Sequence, residues 1–170
     1  MNVTALVSIP VGVVVERYEA TSPWLDYVWR PALVLAGIPS AAPWTRLDEA
    51  GGRTTFYAGP ATIELYRTET ANYRSNLESG APLLWVVLRP TASEPPYKVL
   101  AVTADPAEGE ASTEAGDDLV ETVPMPATIA QTVEAFIAQH HVERPFLKRE
   151  RDRGGPAARV LRKDARESGQ

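Results

Sequence analysis

The stretch VGVVVERYEATSPWLDYVWRPALVL, residues 11–35, reads as two consecutive strands and sets the character of the fold. Val11 to Arg17 is β-branched and almost continuously apolar, the composition of a strand. In SPWLDYVWRP, residues 22–31, a period of two places Leu25, Tyr27 and Trp29 on one face. Trp24, Asp26, Val28 and Arg30 fall on the other. Pro31 has no N–H to give to a ladder, so Trp29 and Arg30 are expected at a sheet edge or a bulge. Ala32 to Leu35 resumes the apolar run, and Gly37 and Pro39 end it. The reading is a two-faced strand with a ring row in the core and a polar row outside.

More strands follow from the same reasoning. Arg53 to Ala58, Thr62 to Tyr66, Leu83 to Arg89 and Tyr97 to Thr103 each carry the pattern. Gly51-Gly52, Gly59-Pro60 and Glu94-Pro95-Pro96 supply the turns between them. Thr68 to Leu77 is expected to form a short helix with Glu69, Tyr73 and Leu77 on one face and Gly80 beyond its end. A longer helix is predicted over Ala127 to His140, opened by Pro126. Its Ile129, Val133, Phe136, Ile137 and His140 form a core-facing stripe at helical spacing. Asp105-Pro106 can cap a helix running to about Ala115, although the Gly, Ser and Ala there fit an irregular segment equally well.

Length and composition bound the rest. A chain of 170 residues, 44% hydrophobic and 23% charged, suits one soluble domain with a real core. Cysteine is absent, which excludes disulfides and thiolate metal sites. The N-terminal apolar stretch has no basic lead and stops at Glu16, so a cytoplasmic, non-membrane protein is expected. From Glu143 to Glu167 nine basic residues stand against five acidic ones, leaving the remainder at −9 of the total −5. One globular domain over residues 1–150 is therefore expected, followed by a flexible basic tail over 151–170 that orders only on binding.

Few catalytic chemistries survive inspection. No phosphate-cradling glycine loop, dinucleotide fingerprint or nucleophile elbow is present. His140 and His141 are the only histidines, and adjacent helical positions point apart, so they make no chelate. Nothing designates a catalytic residue, a metal ligand or a cofactor. The basic tail is diluted by acids and lacks interleaved aromatics, which argues against nucleic acid.

The strings VSIPVGVVVER, SPWLDYVWRP, GRTTFYAGPATIELYRTETANYRSNLESG, VETVPMP and VEAFIAQHHVERPFLKR, in that order, resemble one bacterial family. It is known only as domain of unknown function number thirty-three hundred and five, and the resemblance covers roughly residues 7–150. Such proteins tend to be encoded beside molybdenum-dependent formate dehydrogenase subunits and their maturation factors. The resemblance implies a part in making, holding or regulating such an enzyme, and brings no catalytic residues with it.

The sequence thus predicts an α+β domain, mostly antiparallel strands in a sandwich or open barrel, with the 127–140 helix packed on it. Its function is expected to be a non-catalytic accessory protein for such a molybdoenzyme, with a protein partner. Candidate contact residues are Trp24, then Tyr73, Arg74, Asn76 and Glu78 at the first helix end, then Pro145, Phe146, Lys148 and Arg149. The alternative is a small-molecule or pterin-binding enzyme with Arg30, Tyr57 or Tyr73 lining a pocket.

Overall fold

A computed structural model describes residues 5–114 and 116–141. Strands β1 (Val7–Glu19), β2 (Tyr27–Leu35), β3 (Thr45–Ala50) and β4 (Arg53–Leu65) form one antiparallel sheet in the order β2-β1-β4-β3. A 3-10 turn at Arg67–Glu69 leads into helix α1 (Thr70–Glu78). The second sheet contains β5 (Leu83–Pro90), β6 (Tyr97–Thr103) and β7 (Leu119–Pro124), in the antiparallel order β6-β5-β7. Helix α2 (Pro106–Thr113) links β6 to β7, and α3 (Ala127–His140) follows β7. The sheets stack as a sandwich and do not close into a barrel, giving the α+β class that the sequence predicts.

One core joins these layers. Val11, Val13, Val15, Ile63 and Leu65 from the first sheet meet Leu84, Val86, Leu88, Val102 and Val123 from the second. Ile129, Val133 and Phe136 of α3 close one end of it. The predicted stripe is therefore the docked face of α3, with Ile137 half-buried beside it. Each fully buried aliphatic side chain contributes about 1.5–3 kcal/mol, so this stripe, not helix propensity, holds α3 in place.

The unbroken valine run in β1 has a second cause. Val14 points away from the core yet is also buried, because the segment after β2 crosses that face. A Cβ at Gly12 would lie 2.9 Å from Pro39 Cδ and 3.2 Å from the Gly37 carbonyl oxygen. Only glycine allows so close a crossing.

Bulges correct one expected turn and bear out another expectation. Gly59-Pro60 is no turn. β4 runs straight through it, and its pairing with β1 slips there, leaving Ala58 without a partner. Gly59 supplies the φ of +143° that this bulge requires. Pro60 is tolerated because β3 pairs with β4 only as far as Tyr57. Opposite, β2 is an edge strand and slips against β1 at Leu33 and Pro31, leaving Ala32 out, as the missing proline N–H demands.

The order of the acidic stretch is also settled. The Asp105 side chain accepts from the Ala107 N–H at 2.9 Å and caps α2. Gly109 lets that helix rest on Trp85, whose ring lies 2.2 Å from where a Cβ would stand. The irregular-segment alternative is overturned for Pro106 to Thr113. The predicted tail lies outside the described residues.

Candidate interaction surface

The first sheet presents two different ends of SPWLDYVWRP. Trp29 faces inward and packs among Trp44 (5.9 Å between ring centroids), Phe56 (5.7 Å) and Tyr97 (6.2 Å). It joins the two sheets, since Tyr97 opens β6. Tyr27 shares its face, as the period of two predicts. Arg17 sits beside this cluster, 4.1 Å above the Tyr27 ring and 5.2 Å above Phe56. The cation is thereby held by ring faces.

The strand does not, however, reach back to Trp24. It begins at Tyr27, and residues 21–26 form a bent connection. The Ala20 N–H donates to the Asp26 carbonyl at 3.1 Å, and the Trp24 N–H donates to the Ser22 hydroxyl at 3.2 Å. Trp24 is consequently 89% exposed, Leu25 59%, Tyr27 40% and Val28 48%. Sequence reasoning singled out Trp24 but missed its neighbours, because it extended the strand alternation into the turn. Ser22-Pro23 and Asp26 were the available signal, being turn-forming residues.

Behind this loop lies an ionic face. Glu16 stands between Arg30 (3.4 Å) and Arg53 (3.9 Å), and Arg30 also donates to the Tyr18 hydroxyl at 2.8 Å. Arg30 is held further in its charged form, first by that bond to Tyr18 and then by Glu16. These exposed pairs contribute little stability. They do fix the direction of two arginines beside the exposed rings.

The other candidate residues are placed as follows. Tyr73 and Asn76 point into the protein and are 1% and 5% exposed, which corrects the expectation that they form a contact surface. The Tyr73 ring packs edge-on against Phe136, and its hydroxyl accepts from the Tyr66 N–H at 2.9 Å. Asn76 holds backbone groups of Leu83 and Ala104. Arg74 and Glu78 do face solvent and pair with each other at 2.9 Å. Pro145, Phe146, Lys148 and Arg149 lie outside the described residues.

The alternative pocket does not form. Arg30 is on the outer face of the first sheet, whereas Tyr73 is in the core beneath α3. Tyr57 is 1% exposed, and its hydroxyl has no hydrogen-bond partner among the described residues. A polar cleft of about 330 Å³ does lie between β4 and β6, lined by Glu64, Tyr66, Thr103 and Glu108. Burial raises the Glu108 carboxyl above its ordinary range, against a hydrogen bond from Thr103 that lowers it. Among the described residues no group of three or more His, Asp or Glu side chains is arranged to hold a metal ion. No helix among them is long and apolar enough to cross a membrane.

Burial also pushes the Tyr73 phenol up to about 12 from 10. The folded state favours the neutral phenol, so its contribution is complete below pH 10 and disappears as pH rises towards 12. Alkaline unfolding, followed by phenolate absorbance, is expected to steepen within this window. Tyr73→Phe should remove the last-titrating phenol and flatten that limb. An unchanged alkaline profile in the variant would assign the loss to other groups.

These features define a two-sheet α+β sandwich whose longest run of exposed large apolar side chains lies where β1 hands over to β2. A family model described as a protein of unknown function, DUF3305, matches residues 10–150, and the chain belongs to that family. No curated protein and no solved structure matches it.

Proposed function

We propose that this protein is a non-catalytic accessory protein that acts through its β1–β2 loop on a protein partner. The carrying observation is the run Trp24, Leu25, Tyr27 and Val28, four large apolar side chains each at least 40% exposed within five positions. Contiguous exposed apolar surface of this kind marks interaction sites. Trp, Tyr and Arg are the residue types that dominate binding energy, and Arg30 stands beside the run. Resemblance to proteins encoded beside molybdenum-dependent formate dehydrogenases supports a subunit or maturation factor of such an enzyme as the partner.

Affinity capture from the native host at mild salt, read by mass spectrometry, is the test. The unaltered chain should recover a formate dehydrogenase subunit or maturation factor, and Trp24→Ala should lose it. Because Trp24 touches so little, the substitution should change stability by no more than about 0.5 kcal/mol. Equal recovery by both chains would remove the loop from the interface. Capture of neither protein class would sink the proposal.

A further inference from the structure

Helices α1 and α3 leave an apolar groove of about 490 Å³ between them. Leu77, Pro82, Ala130, Ile137 and Ala138 line its floor and walls, with Glu134 and the Arg74–Glu78 pair at the rim. We propose that this groove is the seat of the chain's own residues 145–149, Pro-Phe-Leu-Lys-Arg.

Three observations lead there. The first is position. The described chain ends at His141, whose ring lines the adjoining depression together with Arg74 and Glu78. The Thr70 hydroxyl lies 3.0 Å from the His141 Nδ1, so the exit from α3 is fixed against α1. The second is reach. Glu134 lies about 10 Å back along the helix from His141, at 1.5 Å per residue. Seven residues of extended chain span up to about 24 Å, so Lys148 can return to Glu134 after a reversal. The third is complementarity. Phe146 and Leu147 match an apolar floor, and Lys148 and Arg149 match Glu134, whereas Arg74 is already engaged by Glu78.

The absence of cysteine gives a clean test in the full chain. Leu147→Cys is combined either with Ala138→Cys, in the groove, or with Gln139→Cys, exposed on α3 outside it. The two pairs differ by one residue in separation, so loop closure alone gives nearly equal oxidation rates. Seating in the groove should make the intramolecular disulfide to position 138 form about tenfold faster, through its higher effective concentration. Adding Phe146→Ser should abolish that preference. Equal rates for the two pairs would overturn the proposal. Disulfide-linked dimers forming ahead of the intramolecular product would also overturn it, naming a second copy as the occupant.

Discussion

Phe136→Ala is expected to cost about 3–5 kcal/mol in urea unfolding, the range for deleting a buried ring. The residue is 3% exposed and sits where α3, α1 and the core meet. Its ring lies edge-on to Tyr73 at 6.1 Å and 4.6 Å from the His140 ring. Truncation removes the contact that fixes α1 against α3, and neither backbone can close the gap without lifting Ile129 or Val133 from the core. Gln139→Ala, exposed on the same helix, should change stability by no more than about 0.5 kcal/mol. A Phe136→Ala loss below about 1 kcal/mol would mean that the ring is not buried and that α3 is rotated.

Asn76 should prove almost as sensitive, for a different reason. Its amide donates to the Leu83 carbonyl at 2.8 Å and to the Ala104 carbonyl at 3.0 Å, while its oxygen accepts from the Leu83 N–H at 2.9 Å. One side chain thus satisfies three backbone groups, at the start of β5 and just past the end of β6. Orphaning a buried polar group costs about 1–3 kcal/mol, and Asn76→Ala orphans three, so a loss of about 3–5 kcal/mol is expected. Asn76→Leu separates bonding from volume. It restores the bulk but none of the bonds, and should be no more stable than the alanine variant. Recovery of most of the lost stability by leucine would show that packing, rather than the amide, ties α1 to the second sheet.

The readable parts of this fold are those where one residue type has only one physical outlet. The stripe of α3 is legible because five apolar or ring positions recur at helical spacing over four turns. Asp105 before Pro106 is legible as a cap, and Pro31 as an edge. Strand β3 is not, because all six residues of TRLDEA are exposed and show no alternation. It exists only because the backbone of Arg53 to Tyr57 is there to pair with it. Gly59-Pro60 misleads for a related reason: the same dipeptide serves a turn or a bulge, and pairing to β1 decides between them. Tyr73 and Asn76 looked like surface because a buried polar group leaves no periodic trace. The exposure of Trp24 was legible as a possibility, but its run of neighbours depended on where the turn hands over to the strand.

Strand β3 carries one more consequence. It is the outermost strand of its sheet, so one row of its backbone groups has no strand beside it. Unprotected rows of this kind recruit other chains and grow into fibrils. Here the row is short and broken at Leu47 by a register slip. Arg46 is bound to Glu49 at 2.9 Å, and Asp48 lies 3.9 Å from Arg53. An incoming strand would have to displace those charges and follow a kinked template. The acidic and basic side chains that make β3 invisible to pattern reading are the same ones that guard the protein against amyloid-like growth.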